Sequence, residues 1–121
     1  MLKVHANAKS VLAKALYRAQ GAMGVENQQM ADILGVNRTT LARVYQTENI
    51  DPEQNAGRLA AIVLRVYRSV HTLMGGDTKN IQHWLNTPNQ AFAGQVPLQV
   101  MKSVDGLVSV AQYCDAMRGR A

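Results

Sequence analysis

The chain has 121 residues, of which 47% are hydrophobic and 5% aromatic, and it carries a net charge of +5. That length fits one compact domain or two very small ones, and the hydrophobic share excludes disorder as the overall state. The single cysteine, Cys114, excludes an internal disulfide and a cysteine-based zinc site within one chain, while the basic balance permits a polyanionic partner without requiring one.

A core so poor in rings must be built from Ala, Leu, Val, Ile and Met. β-branched alternation is rare, so the expected class is all-α, an N-terminal helix-turn-helix bundle continuing into a small helical C-terminal domain. "KSVLAKALYRAQ", Lys9 to Gln20, sets Val11, Leu12, Ala15, Leu16 and Ala19 at helical spacing, and Gly21 and Gly24 break the pattern. Asn27 can cap a short helix whose apolar side is Met30, Ala31, Ile33 and Leu34. Gly35 sits just past it, where a positive φ is expected, and Asn37 can cap the next helix, with Leu41, Val44 and Tyr45 inward. From Pro52 to about Met74 runs a long helix with an apolar stripe of Leu59, Ile62, Val63, Val66, Val70 and Leu73. Arg58, Arg65 and Arg68 form its polar side, Gly57 is an internal weak point, and Gly75-Gly76 ends it. Asp77 or Thr78 can cap a fifth helix ending near Asn86, and a short helical turn follows from Pro97 to about Lys102. Asp105 leads a last helix burying Leu107, Val108, Val110, Ala111, Cys114 and Met117. The N-terminus shows no long apolar run and no cleavage-site pattern, so neither a signal peptide nor a membrane partner is expected, and a cytoplasmic location is the default.

Ala31, Gly35, Val36, Leu41 and Val44 hold the spacing that a helix-turn-helix requires. A small residue lets the helices approach, a glycine allows the sharp turn, and two apolar residues pack the second helix on the first. The remaining face carries Arg38, Thr39, Thr40 and Arg43, with Asn37 at its start and Gln28 ahead of the turn as a further candidate. Arg can grip guanine edges or phosphate, while Asn and Thr reach bases or backbone. No Asp or Glu lies between Ile33 and Thr47, so nothing there repels phosphate. The competing reading is an ordinary helical hairpin with a solvated basic face. The stretch resembles the Xre-type repressor helix-turn-helix. One such unit binds weakly, so a homodimer or a larger assembly on operator DNA is expected.

"HWLNTPNQAFAGQVPLQV", His83 to Val100, holds the only Trp, the only Phe and two of the 3 Pro. Trp84 and Phe92 can fill a gap between a helix end and the following loop, and Pro88 and Pro97 stiffen the path. Such a loop either closes a small core or offers a preformed docking surface. Trp84 is expected in the core. Asn86, Pro88, Asn89, Gln95 and Pro97 are the candidates to face a partner. The order Trp84-Leu85, Pro88-Asn89, Phe92, Gly94, Pro97-Leu98, then Gly106 and an apolar helix, resembles the toxin-binding domain of the Xre/MbcA/ParS antitoxins. The resemblance implies a type II antitoxin whose partner is a RES-type toxin, an enzyme that consumes or transfers from NAD. It also implies occlusion of that toxin's active site, repression of the antitoxin's own operon, and no chemistry or cofactor in this chain. The last helix and the tail are the implied contacts, so Arg118, Arg120 and Ala121, on a flexible basic tip, join the candidates; the arginines suit a pocket built for NAD phosphates or acidic residues at its mouth, the alternative being a frayed terminus that touches nothing.

His5, His71 and His83 lie far apart with no acid or Cys pattern around them, and no phosphate loop or nucleophile signature is present, so neither a metal site nor an enzyme is expected. The expected division is a DNA-binding domain over 1–75 and a toxin-binding domain over 76–121, with the long helix shared. The alternative is a dimeric helix-turn-helix repressor without a toxin partner.

Overall fold

The computed structural model describes the backbone of residues 2–120 and the side chains of residues 8–119. Among these the chain forms seven α-helices and one 3-10 turn. They are α1 (Leu2–Met23), α2 (Asn27–Leu34), α3 (Arg38–Thr47), α4 (Asn55–Leu73), α5 (Thr78–Asn86), the 3-10 turn (Gln90–Phe92), α6 (Pro97–Val100) and α7 (Val104–Arg120).

One buried cluster runs through all of this. Leu12, Leu16, Ala19 and Met23 of α1 meet Met30 and Leu34 of α2, Leu41 of α3, Val63, Val66 and Val70 of α4, and Leu107, Val110 and Cys114 of α7. The long helix is its axis, because α4 packs against α1, α2, α5 and α7. The stripe expected on α4 is buried along Val63, Val66 and Val70, while Leu59 and Ile62 are only half-buried. Val11, expected on the inner stripe of α1, is 64% exposed; the buried face passes through Leu12, Leu16 and Ala19 instead.

Gly21 does not break α1, which continues to Met23 and ends where Gly24 takes a φ of +66°. Glu26 caps α2 rather than Asn27: its side chain accepts from the backbone of Gln29, whose own side chain accepts from the Glu26 N–H at 3.0 Å. Asn27 is thereby displaced into the first turn. Gly35 behaves as expected, with φ of 70°, and the Val36 N–H donates back to Ala31 O at 3.0 Å. Asn37 caps α3 by accepting the Thr40 N–H at 2.7 Å. Asp77 caps α5, accepting from Lys79 and Asn80. The first turn of α7 is held by Ser103, not by Asp105: Ser103 Oγ accepts the Gly106 N–H at 3.0 Å, and its carbonyl accepts from Leu107 at 2.8 Å.

Gly57 is no weak point. It is buried, and a Cβ there would lie 1.8 Å from the Asp51 carbonyl oxygen. The segment between α3 and α4 crosses the start of α4 so closely that only glycine fits, and Pro52 falls in that crossing turn rather than in the helix. Gly106 repeats the device between α6 and α7, with Val100 O at 1.9 Å from a notional Cβ. Gly21, by contrast, is helical, exposed and has nothing within 4 Å. Gly57→Ala and Gly106→Ala are therefore each expected to destabilise by roughly 1–3 kcal/mol through overpacking. Gly21→Ala should stabilise by about 0.5–1 kcal/mol through helix propensity. Thermal melts of the three variants check this, and a Gly57→Ala protein as stable as the parent would contradict the close crossing.

Candidate functional site

Two surfaces carry the residues singled out in the sequence. The first is built on α2 and α3. The Schellman-type turn at Gly35 and the cap at Asn37 fix the angle between these helices, and Leu41 is buried against the core. This leaves Arg38, Thr39 and Arg43 exposed on α3, while Thr40 is half-buried. Gln28 is exposed on α2 and donates to Asp32 Oδ1 at 2.9 Å. Gln28, Arg38 and Thr39 line one cleft together with Glu26, Asn27 and Ala42. Asn37 stands apart from them: its side-chain oxygen is occupied by the cap, so holding the helix end is the role the geometry gives it. The sequence marks Asn27 only as a cap, and Ala42 carries no polar group to draw notice.

Behind this surface lies a polar chain. The Tyr45 hydroxyl donates to Gln20 Oε1, and Gln20 Nε2 donates to Asn27 Oδ1 at 2.7 Å. Gln20 is 7% exposed, so its amide depends on these partners. Tyr17 packs edge-on against Tyr45 with ring centroids 5.0 Å apart. Burial, with the neighbouring Tyr17 second, pushes the Tyr45 phenol well above its ordinary pKa, so the hydroxyl stays a donor. Gln20 was legible in principle: it follows Leu16 by one helical turn and so shares the buried stripe.

The second surface lies around the loop after α5. Trp84 is half-buried, not fully enclosed, and meets Phe92 edge-on at 6.3 Å; Phe92 in turn meets Tyr113 of α7 at 5.3 Å. The loop is braced from within. Asn89 N–H donates to Gln95 O at 3.1 Å, its carbonyl accepts from Gly94 at 3.0 Å, and its side chain accepts from Ala91 at 2.9 Å. Ala93 and Gly94 supply the two positive φ values, 55° and 80°, that close the path. Pro88 and Asn89 line a shallow groove with Trp84, His83, Asn80, Thr87 and Met74. Asn86 is exposed and donates to Gln82 O at 2.8 Å, and Gln95 is exposed. Pro97 is a correction: it is buried at the first position of α6, where its fixed φ starts the helix, and it offers little surface to a partner.

On α7, Arg118 is exposed and lies 3.9 Å from Asp115 Oδ1. It is helical rather than part of a loose tip, since α7 runs to Arg120; the Arg120 side chain and Ala121 lie outside the described residues. Asp115 ties α7 to α4: Ser69 Oγ donates to Oδ1 at 2.7 Å and Arg65 Nε to Oδ2 at 2.5 Å. The Ser69 hydroxyl first, and Arg65 after it, hold the Asp115 carboxyl below its ordinary 3.8. Arg65, expected on the polar side of α4, remains part-exposed there and also ties that helix to α7. Burial and the adjacent Asp115 push the Cys114 thiol up to about 12, as befits a small buried apolar residue. Among the described residues no group of three or more His, Cys, Asp or Glu could hold a metal, and no helix is long and apolar enough to cross a membrane.

These features define a helix-turn-helix protein with an appended helical module built round a braced aromatic loop. Residues 4–55 match the family model described as the antitoxin Xre-like helix-turn-helix domain. Residues 69–120 match the antitoxin Xre/MbcA/ParS C-terminal toxin-binding domain. A search of curated proteins found no match to the chain. The protein belongs to the Xre/MbcA/ParS antitoxin family. The span between the two matched regions lies inside α4.

Asp115→Ala is expected to lower stability by roughly 1–2 kcal/mol, as both partners lose a hydrogen bond in a half-open setting. Because the folded carboxyl titrates below 3.8, its contribution is fully present above that pH and fades as the pH falls through the lowered value. Denaturant melts of the two proteins should thus differ by a constant amount above pH 3.8 and converge in stronger acid.

Proposed function

We propose that this chain is the antitoxin of a type II pair whose toxin is of the RES type, consuming or transferring from NAD. The antitoxin silences the toxin by covering its active site and represses its own operon through the helix-turn-helix, in the cytoplasm. The carrying observation is the joint presence of both antitoxin domain matches on one chain. The exposed Arg38, Thr39 and Arg43 on α3 and the prebuilt groove at Pro88 and Asn89 support it. Gln28 and Thr40 join the proposed DNA-facing set. Asn86, Gln95, Arg118, Arg120 and Ala121 join the proposed toxin-facing set.

The proposed division is 1–75 for the DNA-binding part and 76–121 for the toxin-binding part, with α4 serving both. A single helix-turn-helix unit holds too few contacts for tight operator binding, so the active species is a homodimer or a larger assembly with the toxin. The test is co-expression with the small gene product encoded beside it. Rescue of growth and a stable complex are expected; failure to bind any such neighbour would leave a dimeric repressor as the function.

Three outcomes follow for variants. Replacing Arg38 and Arg43 together by Ala should weaken operator binding and lower the salt slope by about 1–2, with toxin neutralisation intact. Trp84→Ala should cost less than the roughly 3–5 kcal/mol of a fully enclosed Trp, because the residue is only half-buried, yet should still loosen Phe92 and weaken neutralisation. Deleting Gly119 to Ala121 should reduce toxin inhibition; unchanged inhibition would remove the tail from the interface.

A further inference from the structure

Among the described residues, Gln20 is the one buried side chain that bonds both helices of the helix-turn-helix from outside it. It lies on α1, within a face otherwise made of Leu, Ala and Met, and is 7% exposed. Burying an amide there is unfavourable unless both of its ends are bonded, and both are. Its oxygen accepts from Tyr45 on α3, and its nitrogen donates to Asn27 in the first turn of α2 at 2.7 Å.

The polarity of this chain is set from one end. The Tyr45 hydroxyl donates to the oxygen of Gln20, which leaves the Gln20 nitrogen to donate to Asn27. Asn27 then presents its own oxygen to Gln20 and turns its amide nitrogen away from it. Asn27 lines the cleft with Gln28, Arg38 and Thr39. Tyr45 stands one turn beyond the buried Leu41, where a bond to α1 resists rolling of α3 about its axis.

We infer that Gln20 is a positioning residue for DNA recognition: through Tyr45 and Asn27 it sets the roll of α3 and the donor direction at the start of α2. This rests on the DNA-binding reading above. Gln20 itself touches no DNA. Removing Gln20 leaves partners that water can reach, Asn27 exposed and Tyr45 half-buried, so Gln20→Leu costs little stability, whereas Tyr45→Phe leaves the buried Gln20 oxygen without its donor and also lowers the melting temperature. What both cost is alignment.

The experiment compares the full-length parent, Gln20→Leu, Tyr45→Phe and the double variant on a duplex carrying the region upstream of the gene, and on a scrambled duplex, over a salt series. Melting temperature and toxin capture are read alongside. Each single variant should bind the upstream duplex about tenfold more weakly, and the double variant no more than about tenfold, because one chain is broken in all three. The salt slope should stay that of the parent, since no cation facing phosphate is removed. Toxin capture should be unchanged. Unaltered DNA affinity, losses that multiply to about a hundredfold in the double variant, a flattened salt slope, or weakening that merely follows the unfolded fraction would each overturn the inference. Tyr45→Phe removes one hydroxyl and keeps the ring against Tyr17, so it decides the matter alone if Gln20→Leu does not fold. A parent protein with no salt-dependent binding to the upstream duplex would overturn the DNA-binding reading and this inference with it; normal binding by the parent with unaffected variants would overturn this inference alone.

Discussion

Val63, Val66 and Val70 of α4 have essentially no contact with solvent, because α1, α2 and α7 all pack on this helix. Much of the rest depends on that shared burial. The two regions matched to antitoxin domains end and begin within α4, so neither is finished without it. In a chain with so few rings, the area that drives folding comes from many small aliphatic contacts, and a central helix of β-branched residues supplies them with little side-chain entropy to lose. Two glycines let backbone crowd in where bulkier residues would hold it off: Gly57 under the Asp51 carbonyl and Gly106 under Val100.

Around this apolar axis the polar side chains do a different job. Several buried or half-buried polar groups tie one helix to another. Asp115 joins α7 to α4 through Ser69 and Arg65, and Gln20 joins α1 to α2 and α3. Gln82 of α5 reaches the Ala22 carbonyl at the end of α1 at 3.2 Å. Apolar packing is tolerant of small slips and rotations, whereas hydrogen bonds have defined directions. The first gives the molecule its stability, and the second fixes which residues of α3 and α7 face outward.

The braced loop between α5 and α6 follows the same logic at a smaller scale. Asn89 takes part in four hydrogen bonds within a few residues, and Phe92 is held between Trp84 and Tyr113. A surface that is already ordered loses little entropy when a partner covers it. Under the proposed function, this is the physical reason for gathering the rare aromatic and proline residues in one stretch. Trp84 both packs against the core and lines the groove, so core and surface roles do not exclude each other there.

Local signals in the sequence determined the helices, their order and most of their ends. Periodicity, Gly35 and the caps at Asn37 and Asp77 act within one or two turns, and their physics is complete without the rest of the chain. The pattern in the second half pointed to the antitoxin family for the same reason, since the loop's bonds are nearly all local. Other features depend on which distant segment comes near. Gly57 read as a weakness because its value lies in a crossing by Asp51. Arg65 read only as part of a polar face because Asp115 is far along the chain, and Pro97 read as exposed because the core beneath it is not visible in one dimension. Asn27, taken for a cap, is part of a chain that begins on α3 and passes through α1. Secondary structure is set by neighbours in sequence; the partner of a polar side chain is set by neighbours in space, and only the packed tertiary structure decides those.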